Sequence, residues 1–151
     1  MKKILSIITL LIMIFTAPAW SFDINIDNAN AKRGSTINVP VKLKNVLNAI
    51  EANSFGFTLN FNGDILSFVG IDTKGTMVEN FTLVDGKEKS SGIAKIAGSY
   101  FTDKIFLTDG LLVTIIFKVQ ENASGNTKIE FSDFKDALTE ASSTSSIITI
   151  K

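Results

Sequence analysis

Apolar and polar residues alternate in short segments along the chain from residue 22 onward. The clearest segment covers residues 54–61, in which Phe55, Phe57, Leu59 and Phe61 occupy every second position. This period is typical of a strand with one face buried and the other facing a polar environment. No stretch long enough for a helix has apolar residues at helical spacing. The pattern predicts an all-β fold of about nine strands, at residues 22–26, 36–44, 54–61, 64–71, 80–85, 93–101, 111–119, 127–131 and 145–151.

The segments between these strands are rich in turn-forming residues. Residues 86–92 predict a polar turn, residues 102–110 a loop, and residues 132–140 one helical turn capped by Ser132. Pro40 cannot donate a hydrogen bond to a neighbouring strand, so the strand at 36–44 should border a sheet edge or a bulge there. Many short strands without helices favour a two-sheet β-sandwich.

The hydrophobic pattern changes across Asn62-Gly63. The residues before this dipeptide alternate, whereas residues 65–71 are apolar on both parities. Taken locally, Asn-Gly is a strong signal for a two-residue hairpin. The change of pattern instead favours two strands in different surroundings. These two interpretations conflict.

Residues 1–21 have the pattern of a secretory signal peptide. Lys2 and Lys3 precede an uncharged apolar run, and Ala19 and Ser21 supply the small residues that a signal peptidase requires. The run is shorter than the roughly 20 residues of a membrane-spanning helix. We therefore expect a signal peptide at 1–21, one exported domain at 22–151 with no membrane span after cleavage, and a periplasmic or extracellular location.

Composition excludes several classes of function. Without Lys2 and Lys3 the chain has 13 basic and 15 acidic residues, which gives no basic surface for nucleic acid. It has no cysteine and no histidine, so it lacks disulfides and the usual nucleophilic triads. The remaining carboxylates lie mostly in turns, where they are common turn formers. We predict no catalytic residue, no cofactor and no metal site.

Three ordered motifs resemble those of the cohesin domain of bacterial extracellular scaffolds. They are "RGSTINVPVKLKNV" at 33–46, "FGFTLNFNGDILSFVGID" at 55–72 and "LTDGLLVTIIFKV" at 107–119, and "SSIITIK" at 145–151 resembles the closing strand. The resemblance implies a nine-stranded jelly-roll sandwich related to carbohydrate-binding modules. It also implies that the strands before and after Asn62 lie in different sheets, which decides against the local hairpin.

Cohesins bind dockerins, small calcium-loaded helical modules, on the flat outer face of one sheet. The resemblance therefore implies a dockerin-like protein partner and a non-catalytic role in an extracellular polysaccharide-degrading or surface assembly. Family positions that often carry Asn or Asp correspond here to Ser54 and Gly56. Carried over by alignment, the partner-binding face comprises Ser54, Gly56, Thr58, Asn60, Lys95, Ala97, Ser99, Phe101, Leu112, Thr114 and Ile116.

Two other functions remain open from the sequence. A carbohydrate-binding sandwich would need exposed aromatic platforms, but Trp20 falls in the expected signal peptide and Tyr100 has inward parity. A structural or secretion-associated domain would use its terminal strand or a sheet edge for assembly.

Overall fold

The computed structural model describes residues 22–151. All regular secondary structure within these residues consists of β-strands. The expected signal peptide lies outside the described residues. Nine strands of five or more residues match the nine predicted segments, and four strands of three residues were not predicted. The strands are β1 (Phe22–Ile26), β2 (Ala29–Ala31), β3 (Thr36–Lys44), β4 (Ile50–Ala52), β5 (Ser54–Asn60), β6 (Leu66–Asp72), β7 (Leu83–Ser90), β8 (Ile93–Ser99), β9 (Ile105–Leu107), β10 (Gly110–Val119), β11 (Gly125–Asp136), β12 (Ala141–Ser143) and β13 (Ser146–Ile150).

The strands form two packed sheets and one short ribbon. The five-stranded sheet has the order β12-β1-β3-β10-β6, the six-stranded sheet has the order β2-β13-β11-β5-β8-β7, and β4 pairs with β9. The inward residues of both sheets make one apolar core, to which β5 contributes Phe55, Phe57 and Leu59. The predicted two-sheet sandwich is confirmed. At Pro40 the strand β3 has a neighbour on one side only, because β1 pairs with residues 41–44 alone.

The chain changes sheets at Asn62-Gly63, and the local hairpin interpretation is wrong. β5 belongs to the six-stranded sheet and β6 to the five-stranded sheet. The Asn62 carbonyl accepts hydrogen bonds from the backbone N–H groups of Ile65 and Leu66, at 3.1 and 2.9 Å. A Cβ atom at Gly63 would lie 2.8 Å from the Gly92 backbone nitrogen. Glycine is therefore required because the β7–β8 turn passes against this connection.

Two predictions about local structure are wrong. Residues 86–90 continue β7 rather than forming a turn, and residues 132–136 continue β11 rather than starting a helical turn. Asp133 and Asp136 have φ of 54° and 53°, and the β11–β5 register shifts between Ser132 and Lys135. This bulge brings the Phe131 and Phe134 rings together, stacked with centroids 5.9 Å apart. The chain therefore forms a bulged strand with these two rings packed together, and no helical turn.

Glu88 joins the edges of the two sheets. It lies on the inward side of β7, where its carboxylate accepts the backbone N–H of Phe68 on β6 and that of Gly92, both at 3.2 Å. Phe68 lies on the edge strand of the opposite sheet. The single carboxylate therefore satisfies two backbone donors and closes this side of the sandwich.

Replacing Glu88 by alanine should lower the free energy of unfolding by about 1 to 3 kcal/mol, because two partly buried donors lose their acceptor. Glu88→Gln keeps one carbonyl acceptor and should cost less. Glu140→Ala, at an exposed position, should stay within about 0.5 kcal/mol of the parent. Urea denaturation of the three variants measures these differences, and equal values for Glu88→Ala and Glu140→Ala would contradict the assigned role.

The first and last strands run side by side and cross between the sheets together. β1 pairs in parallel with β12 in one sheet, and β2 pairs in parallel with β13 in the other. We call these four strands the terminal ribbon. Hydrogen bonds donated to Asp23 lower the pKa of its carboxyl from the ordinary 3.8. The Ser142 hydroxyl has the larger effect and the Asn45 amide the smaller one. This contribution to stability is present above that ordinary value and is lost as the pH falls through the lowered pKa.

Candidate functional site

The residues predicted for one face lie on two opposite sheets. β5 and β8 are neighbours in the six-stranded sheet, but β10 lies between β3 and β6 in the five-stranded sheet. Thr114 and Ile116 therefore point away from the other predicted residues, on the far side of the sandwich. Leu112 is fully buried, since the register shift between Leu111 and Val113 turns it inward. Its place on a binding face is wrong.

The remaining predicted residues share one surface. Cross-strand pairs place Ser54 beside Ser99, Gly56 beside Ala97, Thr58 beside Lys95, and Asn60 beside Ile93. All of these lie on the outer side, because Phe55, Phe57 and Leu59 between them are in the core. Phe101 follows β8 and is 72% exposed.

The true neighbours of this pair of strands are β7 and β11. β7 pairs with the free edge of β8, and β11 pairs with the free edge of β5, so that the order is β11-β5-β8-β7. We call the outer surface of β7, β8, β5 and β11 the candidate face. Sequence reasoning missed the residues that β7 and β11 add to it, which are Leu83, Asp85, Lys87, Lys89, Lys128, Glu130, Ser132, Asp133 and Lys135. Residues 83–89 show no alternation of apolar and polar residues, and the polar composition of residues 86–92 favoured a turn.

A strip of small residues runs along the centre of the candidate face. Its members at one end are Ser54, Gly56, Ala97 and Ser99, on adjacent strands. Larger side chains flank the strip on β7 and on β11, where Lys135 lies directly opposite Gly56. An open depression of about 360 Å³ lies between β7 and β8. Its lining residues are Leu83, Asp85, Lys87, Lys89, Lys95, Ala97, Gly98 and Ser99.

Charged side chains border this strip. The Lys95 and Lys135 ammonium groups lie 3.7 and 3.8 Å from the Asp133 carboxylate, so that two lysines share one acid. Because Lys95 sits on β8 and Asp133 on β11, their pair crosses over β5. This explains why Thr58, although it faces outward, is only 6% exposed. The Asn60 amide donates a hydrogen bond of 2.7 Å to the Ser132 hydroxyl near the other end.

Neither a cluster of metal ligands nor an open tyrosine ring is present among the described residues. Among residues 22–151 no group of three or more Asp, Glu, His or Cys side chains is placed to hold a metal ion. Tyr100 is half-buried and stacks on Phe81, with ring centroids 5.8 Å apart. Its ring is therefore not an open platform for a sugar. No helix within the described part of the chain has the length and apolar character needed to cross a bilayer.

These features define a β-sandwich with a flat, open outer face on its larger sheet. The chain belongs to the cohesin domain family, whose model matches residues 22–150. The resemblance found in the sequence motifs is confirmed. The chain is also 30% identical over 127 residues to cellulose-binding protein A of Clostridium cellulovorans. That match covers 79% of this chain and 7% of the relative, so the chain corresponds to a small part of that protein.

Solved cohesin structures have the same fold. The sixth cohesin of scaffoldin B from Acetivibrio cellulolyticus, solved with a Cel5 dockerin, has a TM-score of 0.70 and 19% identity. The cohesin of the OlpA–Doc918 complex from Clostridium thermocellum has a TM-score of 0.70 and 23% identity. Each match covers 87% of this chain and 99% of the other. A non-cellulosomal cohesin from Archaeoglobus fulgidus has a TM-score of 0.66 and 20% identity, with 87% and 91% covered.

Proposed function

We propose that this protein is a non-catalytic binding module that docks a dockerin-like partner on the candidate face. The observation that carries the proposal is the central strip of small residues with longer side chains on both sides, on the outer surface of a rigid sheet. Such a strip lets the backbone of a partner helix approach closely, while the flanking side chains contact it from either side. Membership of the cohesin family supports the same assignment, and two of the solved relatives are complexes with dockerins.

Cellulose binding has no comparable support from the described residues. The name of the Clostridium cellulovorans relative refers to a protein of which this chain matches only 7%. The single tyrosine of residues 22–151 is half-buried and stacked against Phe81. The carbohydrate-binding and assembly alternatives are therefore retained only as outcomes of the test.

The test measures binding of the purified protein to a panel of calcium-loaded dockerin modules, to microcrystalline cellulose, and to itself. We expect at least one dockerin to bind with simple one-to-one stoichiometry and EDTA to abolish that binding, because the partner modules require calcium. Retention on cellulose without dockerin binding would favour the glycan function. Concentration-dependent dimerisation in sedimentation experiments, again without dockerin binding, would favour assembly.

We further propose that the protein is exported and that residues 1–21 are removed as a signal peptide. The small residues Ala19 and Ser21 are spaced for cleavage before Phe22. Phe22 is also the first residue of β1 and is buried in the core. Intact-mass measurement of the exported protein should give a chain that starts at Phe22, and a mass that includes Trp20 would move the cleavage site to Ala19.

A further inference from the structure

The candidate face is basic, although the chain as a whole is slightly acidic. Residues 22–151 contain 13 basic and 15 acidic side chains, whereas the candidate face contains five lysines and three carboxylates. Its lysines are Lys87, Lys89, Lys95, Lys128 and Lys135, and its acids are Asp85, Glu130 and Asp133. The candidate face thus carries a net positive charge, and the rest of the described chain carries a larger net negative charge.

The unneutralised charge is concentrated on β7. Lys128 pairs with Glu130 at 2.5 Å, and Lys95 and Lys135 share Asp133. Lys87 and Lys89, by contrast, have no carboxylate within 4.0 Å among the described residues, and both are exposed. Asp85, the nearest acid on the outer side of β7, accepts a hydrogen bond from the Gly86 backbone N–H. An acidic group approaching β7 therefore meets two lysines that are free to pair with it.

The other end of β7 is apolar. Leu83 lies opposite Ser99 and is 55% exposed, and the Phe101 backbone N–H donates to the Thr82 hydroxyl at 3.3 Å. The backbones at Leu83 and Phe101 are therefore close, and both side chains are exposed. Lys87 lies four residues further along the strand, which corresponds to about 13 Å. One side of the candidate face thus passes from an apolar end to a cationic end.

We propose, building on the docking function above, that the partner is an acidic helix whose carboxylates pair with Lys87 and Lys89 while an apolar side chain packs on Leu83 and Phe101. In an α-helix running along β7, a separation of about 13 Å corresponds to about nine residues. The contact residues of the partner should therefore include an apolar side chain two to three turns away from a pair of Asp or Glu residues.

A protein fits this surface better than an acidic polysaccharide. A uniformly charged polyanion would place negative groups against Asp85, Glu130 and Asp133 as well as against the lysines. The apolar pair Leu83 and Phe101 would also remain uncovered by such a chain. A helix can place an acid opposite each unpaired lysine and an apolar side chain opposite the pair, so that its sequence matches both ends.

The test selects partners from a displayed library of a dockerin module in which the exposed helix positions are randomised. The purified protein serves as bait, and the binders are sequenced. One bait variant is Lys87→Glu with Lys89→Glu, which reverses the cationic end. Its matched control is Lys32→Glu with Lys74→Glu, which makes the same change of net charge at exposed positions outside the candidate face.

We expect the binders of the parent protein to be enriched in Asp and Glu beside an apolar residue. Lys87→Glu with Lys89→Glu should weaken these binders at least about tenfold, and the control pair should change affinity by less than about twofold. Raising the salt from about 0.1 to 0.5 M should weaken the parent complex and have little effect on the complex with reversed lysines.

Neutral or basic binders, or equal affinity for the two double variants, would overturn the acidic-helix proposal and leave the docking function standing. If polygalacturonate binds the protein and competes with the selected modules for Lys87 and Lys89, the partner is a polyanion and the acidic-helix proposal is wrong. If no library member binds the parent protein, both the docking function and the acidic helix are wrong.

Discussion

Replacing Gly56 by arginine should abolish dockerin capture, with a loss of affinity of at least about 100-fold, while the protein remains folded. Gly56 lies in the central strip, and a Cβ atom there would stand 3.5 Å from the Lys135 Cβ, an ordinary contact. The strand can therefore accept the side chain. A long side chain rising from the floor of the strip would hold the partner helix away from the sheet and break the close contact that the small residues allow.

Gly70→Arg is the matched control. Gly70 lies on β6 in the five-stranded sheet, and a Cβ atom there would meet no atom within 4 Å. The same substitution is thus made on the opposite side of the sandwich, where it should leave dockerin binding unchanged. Biolayer interferometry with the dockerin found by the panel, together with thermal unfolding, checks both variants. If both variants lose dockerin binding equally, or if neither variant loses it, the candidate face is not the docking surface.

Phe57→Ala should lower the free energy of unfolding by about 3 to 5 kcal/mol, the largest stability loss that we predict for a single substitution. The Phe57 side chain is 2% exposed, its ring lies edge-on to that of Phe131 with centroids 5.5 Å apart, and it also stacks on Phe55. The chain has no cysteine, so no disulfide holds the two sheets together. Truncation therefore removes apolar contacts and leaves a cavity at the centre of the core.

The exposed Phe101 provides the comparison for this substitution. Phe101→Ala deletes the same atoms from a side chain that is 72% exposed, and it should change stability by less than about 0.5 kcal/mol. Guanidinium denaturation measures both values. A loss at Phe57 no larger than the loss at Phe101 would mean that β5 does not present the assigned face to the core.

Alternation along β5 was enough to predict which of its side chains enter the core, because a strand of a two-sheet sandwich has one inward and one outward face. The change of pattern after Asn62 favoured different surroundings for β5 and β6, and the resemblance to cohesins implied that they lie in different sheets. Periodicity does not say which strands are neighbours, since pairing depends on contacts between distant parts of the chain. Alignment with the family therefore assigned Leu112, Thr114 and Ile116 of β10 to the face of β5 and β8, although β10 pairs with β3 and β6.

Bulges account for other differences between sequence and structure. One extra residue in β10 turns Leu112 into the core, and the bulge in β11 extends a strand where a helical turn was predicted. Each bulge reverses the parity of every later residue, and alternation alone does not mark its position. The lysines of β7 were missed for another reason. Residues 86–90 have the composition of a turn, and their pairing with β8 overrides that preference.

The terminal ribbon determines how the domain responds to mechanical force. β1 and β2 run in the same direction as β12 and β13, so tension between Phe22 and Ile150 pulls the two segments along their length in opposite directions. The hydrogen bonds across each pair are then loaded in shear and must break together rather than one after another. β13 is also paired with β11, which brings the loaded strand into the sheet of the candidate face. The terminal ribbon can therefore carry a stretching load between Phe22 and Ile150 through hydrogen bonds that share it.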